Sequence, residues 1–528
     1  MSEKAARGGG MIRSSMIFSG LTLVSRFMGL ARDLVITARL GASQTIAADA
    51  YYTALAFPNL FRRIFAEGAF AAAFVPAYAR KLADDAGEVD ADRFAADALA
   101  TVAAATVALT VVIQLAMPWL MYAINPGFVD DPAKFKLAIL LTQITMPYLP
   151  CMAIASLFSG VLTARGRFII YGAYPTVLNI VMLAIVLPQH EPVAAAYAAS
   201  IGVIIAGVGQ AALCGWGAHR SGARIRLVRP SLTPDIRALI TLAIPAAIAN
   251  SATQINIFIS GILASQVAGM RVWMNVADRL YQLPMSLVGV AIGVALLPRL
   301  SKALQADDQA DAQASMDQGI VFALAFSLPA AAALLAMPTY LIDALFTRGA
   351  FTGSDAAATG ALLFHYGWGV PAFVLLRILQ PAFFARQDTK TPMRFSLISV
   401  AVNIALGVAL FYAIGFPGIA MATSIAAWIT VCQMSASLMR RGVYRPSARA
   451  WSKIARIAGA SAVLGGGLAL AAHFRGAIED VIPAKEIGVL LICTAGGALY
   501  PVLLFASGGL TFAEAKAALR RRGGAALP

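Results

Sequence analysis

Arginine side chains recur inside stretches of sequence that are otherwise apolar, and they are the residues best suited to chemistry in this chain. A guanidinium group stays charged when it leaves water, and its planar fork of N–H donors matches the paired oxygens of a phosphate. A charge near the middle of a bilayer costs from about 2.5 to more than 10 kcal/mol, so such side chains should face a bundle interior or a hydrated cavity. Once residues in loops and at the edges of these stretches are set aside, seven arginines and no lysine fall within them: Arg26, Arg32, Arg39, Arg62, Arg63, Arg279 and Arg377.

Acidic residues in the same stretches are fewer, which leaves positive charge in excess. When acids in the first or last few residues of a stretch are set aside, they are Asp33, Asp49, Glu67 and Asp278. Asp33 follows Arg32 directly, and Glu67 lies four residues after Arg63, which is the spacing of neighbours on one helix face. Ion pairs that merely hold helices together explain single residues well but not the whole group. Excess buried positive charge needs an anion to neutralise it, and several guanidinium forks in one cavity suit a pyrophosphate.

The elements that position these charges are membrane-spanning helices. Of 528 residues, 59% are hydrophobic and only 13% are charged, and the mean hydropathy is +0.75, which leaves too little polar surface for a soluble globule. Only helices or closed barrels span lipid, and apolar runs of about 20 residues are long enough to cross as helix. The sequence therefore predicts an all-α polytopic protein. We place fourteen spans at 12–40, 47–80, 96–123, 136–164, 168–188, 193–217, 236–265, 270–300, 316–346, 356–385, 392–413, 417–438, 452–473 and 486–508.

The distribution of Lys and Arg between alternate loops predicts the orientation of the chain. The richer set includes the N-terminal Lys4, Arg7 and Arg13, the clusters at 220–237 and 440–456, and Arg520 to Arg522. The poorer set holds Lys134, Lys136, Arg271, Arg348, Arg475 and Lys485. We therefore expect both termini to be cytoplasmic.

A faint internal repeat predicts a two-lobed transporter. Ala42-Ser43-Gln44 recurs as Ala264-Ser265-Gln266, Pro76 recurs as Pro298, and Ala164-Arg165 recurs as Ala385-Arg386, all at nearly the same offset. Six helices per repeat would give both halves the same orientation, with a cleft between them. We predict an N-terminal lobe at 1–220, a second lobe at 221–445, and two extra helices with a cytoplasmic tail at 446–528.

The position of each arginine along its predicted helix determines its depth in the membrane, and the arginines lie at several depths. At about 1.5 Å per residue, Arg377 would lie near the cytoplasmic end and Arg26 near the middle. Arg32 and Arg279 would lie toward the periplasm. This ladder suggests that a phosphorylated headgroup passes from one arginine to the next while the lobes rock.

Other classes of site are not indicated. The formal net charge is +15, but the basic residues are spread along the chain, so nucleic acid is not an expected partner. The four cysteines and four histidines lack metal-ligand or disulfide spacing, so we expect no metal and no cofactor. The first apolar segment contains Arg26, Arg32 and Asp33, which argues against a cleavable signal peptide.

Several motifs resemble the bacterial lipid II flippases called MurJ or MviN. They are Ser25-Arg26, the segment GLARD from Gly29 to Asp33, the segment ADAY from Ala48 to Tyr51, the segment PNLFRRIFAEGAF from Pro58 to Phe70, the segment ADRL from Ala277 to Leu280, and the segment RQDTKTP from Arg386 to Pro392. The resemblance runs over nearly the whole chain, and the thirteen-residue segment is its most specific part.

The resemblance implies a fold of the MOP superfamily, with two six-helix lobes around a cationic cavity and two final helices that frame a groove for a polyprenyl tail. It implies that the protein moves lipid II, an undecaprenyl diphosphate-linked precursor of peptidoglycan, from the inner to the outer leaflet. Partners would then be lipid II, membrane lipids and proteins of cell-wall synthesis or division.

The expected substrate-binding residues follow from the motif match and the in-span charges. They are Arg26, Arg32, Asp33, Asp49, Asn59, Arg62, Arg63, Glu67, Asp278, Arg279 and Arg377. Two positions depart from the pattern of the family, because Arg377 replaces a frequent lysine and Gln282 replaces a glutamate of some members. Some members bind sodium through carboxylates of helices 7 and 11, which this sequence lacks in both predicted spans.

Three alternatives remain open at the level of sequence. The chain could carry another polyprenyl-diphosphate-linked oligosaccharide or a small molecule. A phosphatase or glycosyltransferase acting on the same lipid would need a general base, a nucleophile or metal carboxylates near the arginines, and the spans contain no such cluster. A division scaffold would have no need of arginines at mid-bilayer. We therefore expect a carrier and not an enzyme.

Overall fold

The computed structural model describes residues 20–514 except 21–23, 65–69, 85–86, 307 and 513. The described part of the chain is helical, with short turns and one extended linker, and it contains no strand. In chain order the helices are α1 (residues 24–40), α2 (Ile46–Ile64), α3 (Phe70–Ala83), α4 (Gly87–Ile124), α5 (Pro132–Thr145), α6 (Tyr148–Ala164), α7 (Phe168–Val186), α8 (Pro192–Arg220), α9 (Pro234–Ala264), α10 (Met270–Gln305), α11 (Gln309–Ala336), α12 (Pro338–Phe346), α13 (Gly353–Gly367), α14 (Val370–Phe384), α15 (Lys390–Ile414), α16 (Pro417–Arg440), α17 (Ala448–His473), α18 (Arg475–Val481) and α19 (Lys485–Ala506).

Ten helical stretches among the described residues are long and apolar enough to cross a membrane. They are Gly87–Ile124, Pro132–Ala164, Phe168–Val186, Pro192–Arg220, Gln309–Ala336, Gly353–Phe384, Lys390–Ile414, Pro417–Arg440, Ala448–His473 and Lys485–Ala506. Each overlaps one of the predicted spans, so the polytopic helical architecture is confirmed. The count of fourteen stays a prediction.

Proline sets many of the helix starts. Pro132, Pro192 and Pro234 each occupy the first helical turn, where the missing backbone N–H costs nothing, and the residue before each is an Asp, Glu or Thr whose side chain accepts a hydrogen bond from a backbone N–H of that turn. Proline also explains where three predicted spans are interrupted. The helix is interrupted before Tyr148, before Pro338 and before Val370. Each interruption lies next to a proline near the start of the following helix.

The chain divides into two compact units. One comprises Met1–Val272 with Arg348–Thr352, and the other comprises Trp273–Thr347 with Gly353–Pro528. The predicted lobe boundaries at 220 and 445 stay a prediction.

Each unit has its own core. In the first unit, Phe74 of α3 stacks on Tyr78 and on Phe94 of α4, with ring centroids 5.7 and 5.5 Å apart. In the second unit, α17 and α19 pack against α11 and α12, and the Tyr500 hydroxyl donates to the Ala325 carbonyl at 2.7 Å. The last two long helices therefore belong to the second unit.

The repeated sequence pieces occupy matching places in the order of helices. Ala42-Ser43-Gln44 forms the turn between α1 and α2, and Ala264-Ser265-Gln266 ends α9 and begins the turn before α10. Arg165 follows α6 directly, and Arg386 comes two residues after the end of α14.

Candidate functional site

Arg32 lies on α1 and is held by two polar neighbours of the first unit. Its Nη2 atom is 2.7 Å from Asp33 Oδ1, and its Nη1 atom donates to Asn179 Oδ1 at 3.1 Å. Asn179 comes from α7, and its Nδ2 atom donates to the Ser25 carbonyl at 3.0 Å. One amide therefore bridges two turns of α1, and it fixes the direction of the Arg32 fork.

Asn179 is a site residue that the sequence analysis missed. It is only 4% exposed, in the middle of the apolar helix α7. A polar side chain in the middle of a span needs a partner, and that signal alone could have identified it.

Arg26 and Arg63 present the opposite environment. Both side chains are exposed, and within the described ranges neither forms an ion pair. Asn59 is half-buried on α2. Arg62 lies in the same helix, but its side chain is outside the described residues, as is the whole of Glu67. The predicted pairing of Arg63 with Glu67 therefore stays a prediction.

Arg39 lies at the end of α1 and caps another helix. Its Nη2 atom donates to the Leu187 carbonyl at 2.7 Å, and its Nη1 atom lies 3.0 Å from His190 Nδ1. A cation at the carboxyl end of α7 satisfies a free carbonyl and complements the helix dipole.

Asp49 is fully enclosed by protein, at 0% exposure. Its Oδ2 atom lies 2.6 Å from Lys134 Nζ and accepts a hydrogen bond from the Gly269 N–H at 2.8 Å. The sequence analysis placed Lys134 in a loop before a span beginning at residue 136, which was wrong because α5 begins at Pro132. The lysine is therefore helical and buried, at 7% exposure.

One further cation, a ring and an amide complete what we call the outer cluster, formed by Asp49, Lys134, Phe128, Arg271 and Asn125. Lys134 Nζ lies 4.4 Å from the Phe128 ring centroid, and the Arg271 guanidinium lies 6.0 Å from it. Arg271 Nη2 donates to the Gly261 carbonyl at 2.7 Å and also contacts Asn125 Oδ1. The cluster ties α2, α5 and the turn between α9 and α10 together, so these surroundings give Asp49 a structural role. Its predicted contact with substrate stays a prediction.

In the second unit, α10 carries Asp278 and Arg279. Asp278 Oδ2 accepts a hydrogen bond from the Gln282 amide one turn later. An amide at this position donates to the carboxylate, whereas the glutamate of some family members would place a second acid beside it. The Arg279 side chain is exposed.

Arg377 lies on α14, on a helix that packs against α10 through aromatic rings. The Tyr281 ring lies 5.5 Å from that of Phe373 and 4.7 Å from that of Tyr366. The Arg377 side chain is exposed, and within the part of the chain described it forms no ion pair. Arg279 and Arg377 thus lie on neighbouring helices of one unit.

Aspartates near the starts of α4 and α11 anchor the linkers that follow α8 and α16. Asp92 on α4 accepts from the Tyr78 hydroxyl and from Arg165 Nη2, both at 3.0 Å, and from the Arg224 N–H at 2.6 Å. In the second unit, Asp317 on α11 accepts from the Tyr444 hydroxyl at 2.7 Å. Burial and the neighbouring carboxylate raise the pKa of Tyr444.

The RQDTKTP segment forms a second anchor in the second unit. Asp388 Oδ1 accepts from the Thr391 N–H at 3.0 Å, and Asp388 Oδ2 lies 2.7 Å from Arg441 Nη1. The backbone and side-chain hydrogen bonds from Thr391, together with the hydrogen bond from Arg441, lower the pKa of Asp388 to about 2. The turn between α14 and α15 is thereby fastened to the end of α16.

No group of three or more His, Cys, Asp or Glu residues that could hold a metal occurs among the residues the structure describes. The described chemistry is therefore that of guanidinium groups and their hydrogen-bond partners.

Comparison with known proteins gives a consistent result. The family model for lipid II flippase MurJ matches residues 36–478. A protein of Rhizobium tropici named as a probable lipid II flippase MurJ is 37% identical, and the match covers 97% of each chain. The lipid II flippase MurJ of Burkholderia cenocepacia is 32% identical over 86% of this chain and 89% of its own.

Solved structures share the fold. A lipid II flippase MurJ in an inward closed conformation superposes with a TM-score of 0.74 at 22% identity, covering 93% of this chain and 98% of that one. An inward-facing multidrug resistance MATE family transporter of the MOP superfamily superposes with a TM-score of 0.59 at 13% identity, covering 81% of this chain and 98% of that one. The arginine motifs, the helical fold and the full-length matches together show that this chain belongs to the lipid II flippase MurJ family.

Proposed function

We propose that this protein moves lipid II from the inner to the outer leaflet of the bacterial cytoplasmic membrane by alternating access. The names of its relatives support the substrate. The observation that carries the proposal is the exposure of Arg26 and Arg377 on otherwise apolar helices, where within the described ranges neither forms an ion pair. A guanidinium group there needs water or an anion, and a diphosphate supplies oxygens in the geometry that the fork prefers.

The proposed roles differ between the arginines. Arg32 is preoriented by Asp33 and Asn179, so it would meet the diphosphate at a fixed position. Arg26, Arg279 and Arg377 would contribute charge from exposed, adjustable side chains. We also place Asn59, Arg62, Arg63, Glu67 and Asp278 near the substrate, on the strength of the motif alone.

The proposed topology places both termini in the cytoplasm and makes the Lys- and Arg-rich loops cytoplasmic. Transport would relocate the lipid without breaking a bond in it, because neither the motifs nor the described site supplies a general base or a metal site. Contacts with proteins of cell-wall synthesis or division belong to the same proposal.

The test is a transport assay in proteoliposomes, in which lipid II carries a fluorophore that an impermeant reductant bleaches only in the outer leaflet. Loss of one charged hydrogen-bonding partner costs about 1.5 to 3 kcal/mol, so Arg279→Ala should slow transport by roughly tenfold to a hundredfold. Arg449→Ala is the matched control, because that side chain is 80% exposed on the first turn of α17 and lies outside the predicted spans.

Three results would contradict the proposal. Equal rates for Arg279→Ala and Arg449→Ala would remove the role of the in-span arginines. Faster movement of another polyprenyl diphosphate sugar than of lipid II would favour the alternative carrier, and chemical turnover of lipid II would favour an enzyme.

A further inference from the structure

The linker between α8 and α9 runs along the first turns of α4 and is attached to it at both ends. The Arg224 N–H donates to Asp92, and the Ser231 carbonyl accepts a hydrogen bond from Thr101 Oγ1 at 3.3 Å. We call residues 224–232 the linker strap. Because Asp92 and Thr101 are nine residues apart on one helix, the strap covers about 14 Å of the axis of α4.

The strap packs on the protein only at its start. Ala223 is 2% exposed and belongs to the core of the first unit, and Ile225 packs against that core. Regular alternation would turn Leu227 toward the protein as well, but Leu227 is 88% exposed. Val228 and Leu232 are 40% and 58% exposed. The middle of the strap therefore presents apolar side chains that no described part of the protein covers.

The strap is also basic. The Arg226 and Arg229 side chains are exposed, and neither forms an ion pair with any described residue. Two free guanidinium groups beside three exposed aliphatic side chains match a layer that is anionic on one side and apolar on the other.

Depth along α4 locates the strap at such a layer. The helix has 38 residues, or about 57 Å of length, against about 30 Å for the hydrocarbon core, so its first turns project beyond the lipid tails. Leu227 lies between the two attachment points, at about the height of residue 96 of α4. The predicted span begins at that residue. That level is the boundary between headgroups and acyl chains.

The linker after α16 is anchored in the same way and is also basic, but its apolar residues Val443 and Tyr444 are not exposed. Its Tyr444 is 4% exposed and bonded to Asp317. Exposure of apolar residues is therefore particular to the strap and is not a general property of linkers in this fold.

We propose that the linker strap is a lipid-binding segment, in which Leu227, Val228 and Leu232 enter the acyl boundary of the inner leaflet while Arg226 and Arg229 bind the phosphates of anionic phospholipids.

Spin-label depth measurements on the full-length chain test this directly. A label at Leu227→Cys, in a background with Cys151, Cys214, Cys432 and Cys493 replaced by Ser, is compared in phosphatidylglycerol and phosphatidylcholine vesicles. Val89→Cys is the matched control, because Val89 is 76% exposed on the first turn of α4 and about 18 Å farther along the axis than Thr101.

In phosphatidylglycerol we expect the Leu227 label to collide more with oxygen than with a water-soluble nickel chelate, and the Val89 label to show the reverse. The Leu227 label should be shallower in phosphatidylcholine, and Arg226→Glu with Arg229→Glu should abolish the difference between lipids. A Leu227 label as water-accessible as the Val89 label would overturn the proposal. Equal depth in both lipids would overturn the phosphate contacts. The measurement involves no transport, so its outcome is independent of the proposed flippase function.

Discussion

Two sets of charges lie within apolar helices of this protein, and the fold treats them in opposite ways. In the outer cluster, Asp49 and Lys134 are almost completely buried and meet at 2.6 Å. By contrast, Arg26 and Arg377 are exposed, and within the described ranges neither has an ion-pair partner. The Asp49–Lys134 pair is neutral as a whole, whereas Arg26 and Arg377 have charge available for a ligand.

The difference shows how a structural charge can be separated from a functional one inside a membrane protein. A buried ion pair does not interact with substrate, but removing either partner leaves an uncompensated charge in the protein interior. An exposed arginine contributes little to folding. The free-energy cost of placing its charge in lipid is offset only when water or an anion reaches it. Variants in the two sets should therefore differ in which property they change.

The largest effect should come from Lys134→Ala, which removes the ion-pair partner of the buried Asp49 carboxylate and leaves the Gly269 N–H as its one described hydrogen-bond donor. Breaking a buried pair costs about 3 to 5 kcal/mol, so we expect a clear fall in the midpoint of thermal unfolding of the purified protein. Lys136→Ala is the matched control, because that side chain is exposed on the same helix.

The double variant Asp49→Leu with Lys134→Met sharpens this test. It removes both charges, so it should unfold at a higher temperature than Lys134→Ala alone. If the single and double variants were equally unstable, the ion pair would not be the source of the effect.

The next effect concerns transport. Arg26→Ala and Arg377→Ala should each slow lipid II movement by roughly tenfold to a hundredfold, because each removes a charged group that we propose donates to the diphosphate, and the unfolding midpoint should barely change. Arg377→Lys should keep most activity, since it preserves the charge. A variant that lost stability in step with transport would move that arginine into the structural set.

Smaller effects should separate the two linker anchors. Asp92→Ala removes an acceptor shared by Tyr78, Arg165 and the Arg224 N–H, and the Arg165 side chain is only 6% exposed. We expect a loss of about 2 kcal/mol in unfolding free energy, against about 1 kcal/mol for Asp317→Ala. Asp90→Ala, on the exposed face of α4, should be neutral, and an equal loss for Asp90→Ala and Asp92→Ala would contradict the anchor.

The smallest effect should be a dependence on pH at Asp388. Its pKa is lowered to about 2, so the carboxylate stabilises the folded protein above its ordinary pKa near 4, and that stabilisation is lost as the pH falls toward 2. Asp388→Asn should therefore unfold slightly earlier than the parent at pH 7, and the gap in unfolding midpoint should shrink below pH 4. A gap that is constant from pH 7 to pH 3 would show that the charge of Asp388 is irrelevant.

Much of the fold follows from the sequence because span and loop differ in hydropathy. The predicted span 168–188 is observed as Phe168–Val186, and 417–438 as Pro417–Arg440. Hydropathy does not report a break that a proline makes inside an apolar run, so the interruptions before Tyr148, Pro338 and Val370 were not predicted. Hydropathy also misplaced Lys134, because a charged residue near the start of a helix lowers the local hydropathy and is therefore assigned to a loop.

The arginines and their motif could be named from the sequence, but their surroundings could not. The sequence identified Arg32 and Asp33 as neighbours, yet the third member of that group, Asn179, lies 147 residues away and is brought there only by the packing of α7 on α1.

Composition by itself determined that the chain is a bundle of membrane helices, because lipid admits few other structures for so apolar a sequence. Charge type determined that the carried group should be an anion. Only the tertiary structure decided which charges are neutralised within the protein, because ion pairing depends on contacts between residues far apart in the chain, and hydropathy carries no information about those contacts. Asp33 has its cation beside it in the sequence, whereas Asp49 meets Lys134 and the Gly269 N–H only because the fold brings these distant residues to it.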